Sequence, residues 1–144
     1  FRSYRRGACG SVMPVLALVS SGPWIKRTRD SYTSPMTDDF YCDEVLSGRT
    51  AVQVVCETDG VLAYHHTKPY WPVHVVVIPK RHISSLLALQ ESDNLLLIEI
   101  VQVIKEIANR VVQERGACRV LTNLGQYQDS KHLHWHINFG EPVK

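Results

Sequence analysis

Five stretches of this chain carry the pattern of a β-strand and one carries that of a helix. Residues 51–57 are rich in Val, Asp59 and Gly60 suit a hairpin turn, and residues 61–64 form the returning strand. A loop with Pro69 and Pro72 precedes a third strand over residues 74–78, which Pro79 stops. Residues 84–89 read as a short helical turn. The spacing of Leu97, Ile100, Val101, Ile104, Ile107, Ala108 and Val111 predicts one long amphipathic helix over residues 93–114. Ser92 or Asp93 can cap its start and Gly116 suits its end. Residues 118–123 and 132–138 supply the fourth and fifth strands. Strand-strand-strand-helix-strand-strand predicts an α+β domain, a mainly antiparallel five-stranded sheet with one long helix.

The last strand carries the chemistry. His132, His134 and His136 alternate with Leu133, Trp135 and Ile137. On an extended strand that spacing puts the three imidazoles on one face, roughly 6–7 Å apart. An exposed strand face tolerates one histidine without consequence, but three in strict alternation point to a site. Two chemistries compete. A His-x-His pair can supply two ligands to zinc, with a third from elsewhere. Alternatively, one neutral imidazole can attack a phosphorus atom while its neighbours supply charge and protons.

Composition narrows the class without choosing the reaction. The 144 residues, 44% hydrophobic and 21% charged, suit a single domain with one core. A formal charge of +2 gives no ground for a nucleic-acid or membrane partner, and the apolar run at residues 12–19 is too short to span a bilayer. Cys9, Cys42, Cys56 and Cys118 show no disulfide-rich spacing, so free thiols and a cytoplasmic location are expected. Residues 1–35 carry Arg2, Arg5, Arg6, Lys26, Arg27 and Arg29 against the single acid Asp30. They read as a basic, disordered leader, mitochondrial in destination if it is a transit peptide, ahead of a domain over residues 36–144.

Several motifs together resemble the histidine triad superfamily of nucleotide hydrolases and transferases. His132 to Ile137 match its His-φ-His-φ-His-φ-φ signature, φ being apolar, and Asn138 departs at the last position. Pro69-Tyr-Trp-Pro72-Val-His74-Val-Val-Val-Ile-Pro79-Lys80-Arg-His82 is similar to the family's second signature, and Leu121-Thr-Asn123-Leu-Gly125 to its strand ending in Asn-x-Gly. The resemblance spans about residues 38–138 and is closest to the small nucleoside phosphoramidase branch. It implies that His134 attacks an α-phosphorus and forms a covalent nucleotidyl-imidazole, which water hydrolyses. A backbone carbonyl is expected to hold the other ring nitrogen of His134. His132 and His136 are implied beside the phosphate, with His74 on the adjacent strand and Asn123, Gln128, His66 and Ser130 as substrate-binding residues. A purine nucleotide or nucleotide conjugate is the implied partner, and a homodimer the implied assembly.

No cofactor is implied. Some relatives carry a structural zinc held partly by a Cys-x-x-Cys, and here Asp39 stands three residues before Cys42, so no metal is expected. Two further departures matter. The family's acidic residue for the ribose hydroxyls falls on His66, which can accept only one hydrogen bond. The pair Gln128-Asp129 replaces a Gln-Ser/Thr pair whose hydroxyl reaches the leaving group, and Ser130 can substitute by a local shift. His82 is expected to order the turn after Lys80. A rival reading, from another class, is a nucleotide-binding or interaction module with little turnover.

Overall fold

The computed structural model describes residues 39–143, so the leader over residues 1–35 and Cys9 lie outside the described residues. Five strands form one antiparallel sheet: β1 (Val54–Glu57), β2 (Val61–His65), β3 (Val73–Pro79), β4 (Arg119–Leu121) and β5 (Trp135–Phe139). Their order is β1-β2-β3-β5-β4. The long helix α1 (Asn94–Arg115) ends at Gly116, whose φ of 85° is the left-handed conformation a helix C-cap favours. Class, strand count and helix are therefore those the pattern predicts.

Each face of the sheet buries a different core. Val55, Val61, Ala63, Val73, Val75, Val77 and Ile137 pack against Ile100, Val103, Ile107 and Val111 of α1. The buried stripe thus includes Val103 and leaves Val101 about half exposed, a shift of the predicted stripe toward the true helix–sheet contact. On the opposite face Leu62, Tyr64, Val76 and Ile78 pack against Tyr41 and Val45 of the short helical segment Tyr41–Leu46. Strand alternation puts His74 and His136 on that second face. The Asp59-Gly60 turn forms, but Gly60 is not required there by a positive φ. A Cβ at this position would come within 2.8 Å of the Glu99 carboxylate and 2.9 Å of the Leu96 side-chain tip, so any larger residue requires these two α1 side chains to shift.

The histidine strand is shorter than the alternation predicts. β3 and β5 pair from Val73↔Phe139 to Val77↔Trp135, and the next partner of Leu133 in that register is Pro79. Proline has no N–H to donate, so the ladder stops there. Leu133 N–H donates instead to Ile83 O at 2.6 Å. Only His136 sits on the paired strand; His132 and His134 occupy the segment leading into it. The cysteine expectation also needs correction. Cys42 and Cys118 are free thiols, whereas Cys56 is disulfide-bonded. Among the described residues no helix is long and apolar enough to cross a membrane.

Candidate active site and candidate metal centre

Hydrogen bonds to the backbone fix the tautomers of the central histidines. His134 Nδ1 lies 2.7 Å from the carbonyl oxygen of His132, which can only accept, so Nδ1 carries the proton. The Nε2 of neutral His134 is then an unprotonated lone pair. His74 is set the opposite way: Tyr70 N–H donates to its Nδ1 at 3.1 Å, which leaves the proton on Nε2. That proton is donated to His136 Nδ1 at 2.9 Å, so His136 in turn carries its proton on Nε2. One lone pair and one N–H therefore stand on neighbouring rings, His134 and His136, whose centroids are 5.0 Å apart.

All three rings are buried, and burial keeps them neutral. Desolvation lowers His134 below the ordinary histidine range and lowers His136 to about 4, where repulsion from His134 and His66 adds to it. His74 falls to about 3, through burial first and then the neighbouring His66 and His136. Tyr41 packs against the His134 ring at 4.9 Å, a contact no motif in the sequence signals.

Other predicted site residues are placed differently. His132 was assigned a place beside the phosphate, but it has no exposed surface and both its ring nitrogens are engaged within the protein. It acts on the site through its carbonyl. Gln128, assigned to substrate, spends its amide N–H groups on Ser84 O at 2.6 Å and on that same His132 carbonyl at 3.3 Å. Ser130 Oγ accepts from Phe40 N–H at 3.1 Å, tying down the start of the first helical segment. Asn123 is half-buried just beyond β4. The departure at Asn138 leaves a fully buried amide whose Nδ2 and Oδ1 find no hydrogen-bond partner among the described residues.

A second cluster lies behind the triad. Asp39, Cys42, His82 and His132 bring one donor atom each to within 4.8 Å of one another. Cys42 Sγ is 3.4 Å from His132 Nδ1 and 3.7 Å from His82 Nδ1. Asp39 Oδ2 is 2.6 Å from His82 Nδ1 and 3.0 Å from His132 Nδ1. His132 Nε2–H donates to Pro79 O at 2.9 Å, so the neutral ring turns its Nδ1 lone pair toward the Asp39 carboxylate. Two facing lone pairs repel, and only a proton or a cation between them removes the conflict. One thiolate, two imidazoles and one carboxylate form a donor set that suits four-coordinate zinc. The sequence discounts a metal because Asp39 replaces a thiol, yet a carboxylate is itself a zinc ligand, and His82, read only as a turn residue, belongs to the set. Such an ion would hold His132, and with it the carbonyl that orients His134.

The family model described as "Scavenger mRNA decapping enzyme C-term binding" matches residues 40–140. A HIT-like protein of Chlamydia trachomatis is 33% identical over 97 residues, 66% of this chain and 86% of the relative. A HIT-like protein of Synechococcus elongatus is 31% identical over 110 residues, 75% of this chain and 96% of the relative. Among solved structures, a HIT family hydrolase from Legionella pneumophila superposes with a TM-score of 0.64 at 27% identity, covering 72% of this chain and 93% of its own. A histidine triad protein from Clostridium difficile superposes with a TM-score of 0.60 at 31% identity, covering 77% and 97%.

Two predictions follow from this geometry. In the unfolded chain His74 and His136 take up protons near pH 6.5, but in the native protein only near pH 3 to 4. The unfolded state binds more protons in that window, so stability is full above about pH 6.5 and is lost as pH falls toward 3. Urea midpoints should fall from pH 7 to pH 5, and His74→Phe should flatten the slope; an unchanged midpoint in wild type counts against neutral buried rings. For the second cluster, zinc added to metal-free protein should raise the melting temperature, and cobalt should give a thiolate charge-transfer band that Cys42→Ser removes. Burial, with the hydrogen bond to Asp39, pushes the Cys42 thiol up to about 12, so metal binding must expel its proton and should weaken as pH falls. Absence of bound metal after incubation and dialysis would exclude the site.

Proposed function

The chain belongs to the histidine triad superfamily, and from that premise we propose that it is a nucleotide hydrolase or transferase acting at an α-phosphate through His134. The observation that carries this reading is the 2.7 Å hydrogen bond from His134 Nδ1–H to the His132 carbonyl. It leaves Nε2 as the attacking atom without any proton having to be removed first. Burial disfavours the imidazolium, so the lone pair is present at neutral pH.

In the proposed reaction His134 Nε2 forms a bond to the α-phosphorus as the P–N or P–O bond to the leaving group breaks. His136 Nε2–H donates to a phosphoryl or leaving-group oxygen or nitrogen, where charge grows. His74 is a positioning residue: its Nε2–H holds His136 Nδ1, which keeps the His136 proton on the outward nitrogen. The leaving group departs with the bonding pair and takes a proton from solvent; water then cleaves the nucleotidyl–imidazole bond, giving the nucleoside monophosphate, releasing a proton to solvent and restoring neutral His134. A purine nucleotide joined to an amine or to further phosphate, as in a phosphoramidate or a dinucleoside polyphosphate, is the substrate class.

Replacing His134 by Asn should abolish a trappable nucleotidyl-protein and lower turnover of an adenosine phosphoramidate by roughly 10³-fold or more, while AMP still binds. Turnover within tenfold of wild type would sink the mechanism. The working unit is proposed to be a homodimer. Leu95, Ile98, Val101 and Val112 leave an apolar stripe exposed on α1, and β4 offers an edge with Val120 exposed beside it. A second copy covers both at once. Light scattering at micromolar concentration should give twice the chain mass, and Ile98→Glu with Val101→Glu should give the monomer; a monomeric wild type contradicts the assembly.

A further inference from the structure

His66 has no role in the reaction as described, yet it is built into the same group of rings. It stacks on His74 with centroids 4.1 Å apart and planes inclined by 15°, and its centroid is 6.0 Å from that of His136. One nitrogen from each of His66, His74 and His136 lies within 4.8 Å of the others. Trp71 closes the cluster, edge-on to His74 at 4.9 Å. His66 itself is half-buried, so a ligand can reach it.

Three histidines this close could be taken for a cation site, but their hydrogen bonds argue otherwise. Lys68 N–H donates to His66 Nδ1 at 3.0 Å, as Tyr70 N–H does to His74 Nδ1 at 3.1 Å. Both rings therefore carry their protons on Nε2, and His136 Nδ1 already receives the His74 proton. A metal needs lone pairs, and the outward nitrogens of His66 and His136 offer N–H groups instead. Lowered basicity, set by burial, keeps His66 neutral and this tautomer in place. What the group can bind is an acceptor. No carboxylate is among the hydrogen-bond or ring contacts of these three residues within the described part of the chain.

We propose that His66 is a substrate-binding residue that donates its Nε2–H to a phosphate oxygen, so that this chain recognises its nucleotide through the phosphate and not through a ribose diol. The inference rests on the phosphoryl-transfer reading above and reverses the role that alignment alone gives this position. A carboxylate at residue 66 would grip two hydroxyl protons; an imidazole whose free nitrogen carries a proton cannot accept either. The β2–β3 loop supplies the Lys68 N–H that enforces this choice.

The test is calorimetric titration with AMP and with its 2′,3′-dideoxy analogue. Wild type should bind the two within about threefold of each other. His66→Phe, which keeps the stacked ring and removes the N–H, should weaken both by about tenfold or more, and His66→Gln, which restores a donor, should recover part of the loss. His66→Asp should weaken AMP further by setting a carboxylate against the phosphate. Tighter AMP binding by His66→Asp, a wild-type preference for AMP above tenfold, or unchanged affinity in a folded His66→Phe protein would each overturn the proposal. Turnover of adenosine phosphoramidate by wild type is scored separately: its absence defeats the catalytic reading, whereas turnover with unaltered His66→Phe affinity defeats this one alone.

Discussion

His132 is the residue through which the site and the fold constrain one another. It has no exposed surface, and each of its polar side-chain and carbonyl atoms holds something different. Nε2–H bonds Pro79 O at the point where the β3–β5 ladder fails, Nδ1 enters the Asp39–Cys42–His82 cluster, and its carbonyl receives His134 Nδ1–H and Gln128 Nε2–H. Losing the bond to Pro79, or both bonds to the carbonyl, leaves a buried polar group unpaired, at a cost of about 1–3 kcal/mol. A shift of the ring is therefore a shift of the carbonyl, and the tautomer of His134 depends on that carbonyl.

The rest of the site follows the same logic of backbone groups choosing where protons sit. A neutral imidazole has two possible tautomers, and in solution neither dominates by much. Here a carbonyl selects one for His134, and the amides of Tyr70 and Lys68 select the other for His74 and His66. Desolvation then disfavours a second proton on each of these rings. The result is an ordered set, one unprotonated ring nitrogen beside N–H donors, arranged by backbone groups. The loop that supplies both amides is itself pinned: Val143 N–H donates to Tyr70 O at 2.8 Å, and Gly140, with φ of 96°, lies so close to Pro72 that a Cβ would approach it to 2.9 Å.

Asp39 shows how a substitution can preserve an arrangement while changing its chemistry. Burial alone would raise its pKa, but hydrogen bonds from the Cys42 side chain and backbone outweigh that and hold it at about 2. The carboxylate therefore remains charged between two imidazoles and a thiol. It can ligate a cation or accept protons from the rings, whereas a thiolate in its place accepts hydrogen bonds only weakly.

Much of this protein was determined by the sequence itself. Local periodicity fixes the strands, the helix and the α+β class, because a period of two or of 3.6 residues buries an apolar face in only one kind of element. The alternation at 132–136 marks the site, and the adjacent motifs identify the superfamily, because those residue types at that spacing have little packing value. Tertiary structure alone decided what each histidine does. Nothing in the local sequence says that Pro79 would end the ladder opposite Leu133, or that the His132 ring would turn inward to Pro79, Asp39 and Cys42 while His134 keeps a lone pair. Nor does it show Asp39, Cys42, His82 and His132 meeting across separations of up to 93 residues, or Lys68 N–H turning His66 from acceptor to donor. Those outcomes depend on where distant backbone N–H and C=O groups come to rest. Side-chain identity sets what an imidazole can do, and the packed backbone sets which of its nitrogens does it.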